Sequence, residues 1–144
     1  MSQIEVNQTN GLPAIGTVED PSFIWKDRTA YLAYQIAPVD GSGCALLRFR
    51  NVIEASIIPL NTEGLFKNTS GPYVPEFPIK PWEVNEIRND SKTVYWKALN
   101  ARRWQISFED WTVDIISEQL ELLTIDKNTQ FPEEILHANI EKLD

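Results

Sequence analysis

Apolar and polar residues alternate with a period of two in several stretches of the chain, the pattern of strands that turn one face to a core. Residues 23–25 and 29–36 are rich in aromatic and β-favouring side chains. In the second stretch Ala30, Leu32, Tyr34 and Ile36 share one face, and Tyr31, Ala33 and Gln35 the other. The turn-forming run Pro38-Val-Asp-Gly-Ser-Gly43 predicts that residues 44–50 return as an antiparallel partner, with Leu47 and Phe49 opposed to Leu46, Arg48 and Arg50. Ile53, Ala55 and Ile57 continue as a strand up to Pro59, after a bulge near Asn51. The cleanest alternation is at residues 103–108, where Trp104, Ile106 and Phe108 oppose Arg103, Gln105 and Ser107. Glu109-Asp110 reads as the following turn and residues 111–117 as the returning strand. Residues 82–87 and 93–99 fit either period, with Asn89-Asp90 as the break between them.

The period changes near the end of the chain. Pro132 suits a first helical turn, Glu133 and Glu134 suit the positive end of a helix dipole, and Ile135, Leu136, Ile140 and Leu143 share a face, so a helix is predicted. Residues 1–21 read as a polar N-terminal arm and residues 22–144 as one β-rich domain. The fold class expected is α+β: a mostly antiparallel β-sheet, sandwich or barrel-like, with a C-terminal helix. Residues 61–71 read as loop. Pro72, Pro75, Pro78 and Pro81 recur every third residue, the repeat of polyproline II, and proline cannot donate to a central ladder. Pro75-Glu-Phe-Pro78-Ile-Lys80 has the form of a ligand for proline-binding domains. Val74, Phe77, Ile79 and Trp82 favour instead a crossover packed on an open sheet face.

Composition narrows the function classes. The 144 residues carry 13 basic and 21 acidic side chains, a net charge of −8. Residues 109–144 hold ten acids against two bases, whereas residues 1–108 balance at eleven each. An acidic chain without a basic stripe lacks the electrostatic footprint of a nucleic-acid binder. The single Cys44 forms no internal disulfide, and one Cys with one His cannot supply the usual zinc ligands, so neither metal nor cofactor is expected. The longest apolar runs fall far short of the ~20 residues that span a bilayer, and Met1–Gly11 lacks the pattern of a signal peptide. A soluble, cytoplasmic protein without membrane contact is the expectation.

Nucleophilic chemistry finds little to work with. His137, the only histidine, falls on the acidic helix with no serine or cysteine partner in sight, and Cys44 reads as a small core residue. Asp126-Lys-Asn128-Thr-Gln130 opens like a calcium loop. Phe131 stands where glycine is needed, however, and His137 where a bidentate glutamate is needed. The richest polar constellation is the hairpin over residues 102–114. Arg103 and Asp114 can meet across it, as a solvent-face ion pair worth at most about 1 kcal/mol. Alternatively Glu109, Asp110 and Asp114 contain an acid/base pair for glycoside chemistry, with Trp104 or Trp111 to stack on a sugar.

The same hairpin resembles the C-terminal signature of a group of small uncharacterised bacterial proteins. In that group an Arg-His pair leads into Phe-His-Asp, a small residue, Thr, an apolar residue and Glu. Arg102, Phe108, Asp110, Thr112 and Asp114 occupy the matching positions, and the Leu47-Arg-Phe49 strand and the Pro59-Leu-Asn61-Thr-Glu63-Gly-Leu loop are similar to upstream features of the group. Arg103 and Glu109 stand where the group has its two histidines, so no histidine-dependent activity carries over. The resemblance, over residues 45–118, implies a bacterial origin and a β-rich fold.

The leading expectation is a non-catalytic protein-interaction module, immunity- or adaptor-like. Its acidic C-terminal face (Glu133, Glu134), with Arg103, Trp104 and Trp111, would meet a basic protein partner in a salt-sensitive association. Two alternatives stay open: a carboxylate-dependent hydrolase using Glu109, Asp110 or Asp114, and a self-associating protein whose aromatic face forms a homodimer.

Overall fold

The computed structural model describes residues 3–58 and 76–140, without the side chain of Ile140. The expected loop at 61–71, the prolines at 72 and 75, Val74, the 59–65 loop of the resemblance and the helix position at 143 lie outside the described residues. The chain forms two compact units interleaved in sequence. One comprises Met1–Asn10 and Val52–Glu118, the other Gly11–Asn51 and Gln119–Asp144. Each contains one antiparallel sheet, so the fold is α+β with mostly antiparallel strands and a C-terminal helix.

The unit of residues 11–51 and 119–144 holds β2 (Ser22–Lys26), β3 (Thr29–Gln35), β4 (Cys44–Arg50) and β9 (Gln119–Asp126), in the order β2-β3-β4-β9. The hairpin predicted around Pro38–Gly43 pairs β3 with β4 from Thr29↔Arg50 to Gln35↔Cys44. Strand β4 is apolar on both faces, and Cys44, Ala45, Leu46, Leu47 and Phe49 are fully buried. The helix that we label α2 (Pro132–Ile140) covers one of those faces, setting Ile135 and Leu136 against Ala33, Cys44 and Leu46. Full burial of Leu46, Ile135 or Leu136 contributes about 1.5–3 kcal/mol each.

Strand β9 was not evident from the sequence, and the register shows why. Leu46 faces Thr124 while Leu47 faces Leu122, so Leu123 is an extra, bulged residue, and it packs against the helix-side cluster. The bulge breaks the alternation that Leu120 and Leu122 begin and Ile125 resumes.

The unit of residues 1–10 and 52–118 holds β1 (Glu5–Gln8), β5 (Glu54–Ile58), β6 (Val84–Arg88), β7 (Arg102–Ser107) and β8 (Thr112–Ser117), in the order β1-β6-β7-β8-β5. The N-terminal segment expected to be a polar arm supplies β1, paired with β6 from Glu5↔Arg88 to Gln8↔Asn85. In the other unit Ile15 of the same segment is buried and bridges to Ile36. Near Asn51 (φ 55°) the chain changes sheets between β4 and β5, where a bulge within one strand was expected. The ambiguous stretches resolve into β6 and a five-residue helix α1 (Ser91–Tyr95), followed by a 3-10 turn at Lys97–Leu99. Asn89 and Asn100, both left-handed (φ 65° and 56°), flank this excursion, a backbone region that asparagine tolerates better than most residues. The described part of the proline run packs as a crossover. Phe77 and Ile79 are both buried against Ile87 and Val6, a spacing of two rather than three. Among the described residues no helix is long and apolar enough to cross a membrane.

Candidate functional site

The β7–β8 hairpin forms about the expected turn at Glu109-Asp110, in the register Ser107↔Thr112 through Arg102↔Ser117, closed by the Phe108 amide donating to the Trp111 carbonyl at 2.8 Å. Its two faces differ in chemistry. Trp104, Ile106, Val113 and Ile115 lie on one; Arg103, Gln105, Ser107, Thr112 and Asp114 lie on the other. Both sets are buried. Trp104 is therefore a core side chain that cannot stack on a ligand, and Trp111 is half-buried against Phe108, ring centroids 5.1 Å apart.

Arg103 corrects the expectation of a solvent-face ion pair. Its side chain is 3% exposed, with Nε and Nη2 donating to the two carboxylate oxygens of Asp114 at 3.0 and 2.7 Å. Nη1 donates to Oδ2 of buried Asp90 at 2.7 Å. The ring of Phe77 lies 5.0 Å from the guanidinium carbon. One cation thus satisfies two buried carboxylates, an arrangement that only the planar fork of arginine provides. Burial works against both charges. Its hydrogen bonds to Asp114 and Asp90 more than offset it and raise the Arg103 pKa, while those donated by Thr93, Arg103 and the Lys92 amide hold Asp90 below the usual carboxylate value.

Asp90 is also the N-cap of α1. Its side chain accepts from the Lys92 amide at 3.2 Å and from the Thr93 hydroxyl at 2.6 Å. On the same helix Lys92 Nζ meets Glu54 at 3.2 Å, and Trp96 Nε1 donates to the other oxygen of Glu54 at 3.3 Å. The helix is thereby tied to β7 through Arg103 and to β5 through Glu54.

A pocket of about 540 Å³ opens beside this helix, lined by Glu86, Ile87, Arg88, Asn89, Thr93, Val94, Lys97, Ala101 and Arg102. Glu86 is buried in its floor and accepts from Arg102 at 3.0 and 2.8 Å and from Arg88 at 3.3 Å. Burial pushes the Glu86 carboxyl up, and the Arg102 and Arg88 contacts outweigh it, leaving the pKa lowered. The sequence reading missed this site. Glu86 and Arg88 alternate on β6, but that Arg88 and Arg102 end neighbouring strands becomes visible only once β6 and β7 are in register.

The candidate acids separate. Asp114 is committed to Arg103, whereas Glu109 and Asp110 are exposed at the hairpin turn beyond the end of the ladder. In the other unit Glu133 and Glu134 are exposed on the first turn of α2, and His137 is exposed on the same helix. The calcium-like segment closes on itself, with Asp126 accepting from the Asn128 amide and the Thr129 hydroxyl at 2.9 and 2.7 Å. Cys44 is buried, and burial, with Asp126, Glu134 and Glu19 adding to it, pushes its thiol up to about 11, far from the thiolate a nucleophile needs. Among the described residues no three His, Cys, Asp or Glu side chains are placed to share a metal ion. Comparison with protein-family models, with curated proteins and with solved structures finds no match to this chain.

Proposed function

We propose that this protein acts by binding rather than by catalysis, as an interaction module. The observation that carries the reading is the use made of the hairpin acids. Asp114, the buried one, is spent on Arg103, and Glu109 and Asp110 stand exposed at the hairpin turn, paired with no cation among the described residues. The pocket beside α1, by contrast, has the size and mixed lining of a small-molecule site (about 300–1,000 Å³ is usual) and walls held by buried ion pairs. The experiment is a turnover panel on aryl glycosides and esters with the full-length protein, Glu109→Gln and Asp110→Asn. No rate above background is expected from any of the three. Turnover by the wild type that either substitution abolishes would overturn the reading.

A basic protein partner belongs to the same reading. Glu109, Asp110, Glu133 and Glu134 are exposed, and no cation among the described residues pairs with them. Such an association would weaken with salt as these charges are screened. The lone buried thiol suits a reducing compartment such as the cytoplasm.

A further inference from the structure

Three cations line one pocket in a chain whose net charge is −8. Two of them are set against each other by the fold. Ile87 pairs with Arg103, so Arg88 and Arg102, the next residues outward, end neighbouring strands side by side. Like charges so placed destabilise a sheet unless an anion lies between them. Glu86 supplies one carboxylate for both guanidiniums, with a single oxygen, Oε2, accepting from Nε of each. That leaves one positive charge over. Lys97, also in the pocket lining, adds another, because among the described residues nothing pairs with its ammonium. Glu5 lies opposite Arg88 in the β1 register but makes no ion pair with it and does not line the pocket.

We propose that the pocket beside α1 binds a small phosphomonoester, its dianionic head between Arg88, Arg102 and Lys97 and its body against Val94 and Ala101. The inference rests on the binding reading above and adds the ligand class. The two excess charges of the lining match a phosphomonoester, about −1.5 to −2 near neutral pH, better than the single charge of a carboxylate. Guanidinium forks favour planar pairs of oxygens, and Arg88 and Arg102 each keep N–H groups that Glu86 does not engage. Asn89 and Thr93 do not compete as donors: the Asn89 amide is given to the Gln3 carbonyl and the Thr93 hydroxyl to Asp90. The volume, about 540 Å³, admits a ring-sized body. The helix wall is fixed before any ligand arrives, because Asp90 and Glu54 hold α1 at both ends, and a preformed site loses less on binding.

The test titrates full-length protein with phenyl phosphate, phenylacetate and benzyl alcohol, read by calorimetry and by amide shifts in nuclear magnetic resonance. Phenyl phosphate should bind roughly tenfold tighter than phenylacetate, and benzyl alcohol more weakly than either, with shifts centred on Arg88, Val94, Ala101 and Arg102. Lys97→Gln should weaken phenyl phosphate roughly tenfold without moving the melting temperature, since that ammonium supports nothing in the fold. Equal affinity for all three probes, or an unchanged phosphate affinity in Lys97→Gln, overturns the ligand class. Charge-independent shifts at the pocket, or no shift with any probe, likewise overturn the ligand class and leave the binding reading standing, because that reading falls to turnover alone.

Discussion

Arg103 is the residue on which the polar chemistry of its unit turns. A surface Arg–Asp pair contributes little, but this one is dry, and it balances two carboxylates at once. Replacing such a network wholesale with apolar groups can be neutral. Removing only the cation strands two buried anions. Arg103→Met should therefore cost about 3–5 kcal/mol at pH 7, measured by urea unfolding. The pH dependence has a definite sign. In the wild type the Asp90 pKa is lowered, so its contribution is complete above the unfolded value, about 3.9, and is lost as pH falls through the folded one. In Arg103→Met burial acts unopposed by that cation and pushes the Asp90 carboxyl upward. The variant then regains stability relative to wild type as Asp90 protonates, and its deficit should be smaller at pH 4.5 than at pH 7. A deficit below about 1 kcal/mol at pH 7 would mean that water screens the cluster.

Among the elements, the β3–β4 hairpin, the β7–β8 hairpin and α2 were legible because their turn and cap residues agree with their hydrophobic period. Strand β9 was not legible, because the bulge at Leu123 places an apolar residue out of phase, and α1 is too short to show a period. The polar face of β7 and β8 read as solvated because its residues are polar. That Arg103, Gln105 and Asp114 are buried depends on what covers them, and Phe77 and Ile79, distant in sequence, lie on that side. The turn into β4 offers a test of how closely elements are fitted. Gly41 and Gly43 both have left-handed φ, 110° and 96°. A methyl at Gly41 would meet open space, whereas one at Gly43 would run into the backbone carbonyl of Asp126 at the end of β9. Gly41→Ala should cost only backbone strain, on the order of 1 kcal/mol. Gly43→Ala should cost ~2 kcal/mol or more, because backbone cannot rotate away as a side chain can. Equal melting temperatures for the two variants would show that the β4–β9 junction yields.

Across the whole molecule, interleaving redistributes the charge that the sequence concentrates in its last quarter. Residues 1–10 and 52–118 carry seven bases and eleven acids; residues 11–51 and 119–144 carry six and ten. Each unit is thus −4, and the acids of residues 109–144 are divided between them. A truncation after Leu123 looks like a way to strip acidic charge, but it cuts β9 in the middle. It deletes Thr124, Ile125 and Asp126, which pair with Leu46, Ala45 and Cys44, and it removes Ile135 and Leu136 from the cluster over β4. The truncated chain should lose slow hydrogen exchange at the β3 and β4 amides and bind a hydrophobic dye, while Glu133→Gln with Glu134→Gln should leave both readouts at wild-type levels, since those side chains are exposed. Retained protection at Leu46 and Ala45 after truncation would show that β2, β3 and β4 hold together without the end of β9 and without α2. If protection is lost, any partner that binds the double substitution but not the truncation is reading the shape of this unit and not its charge.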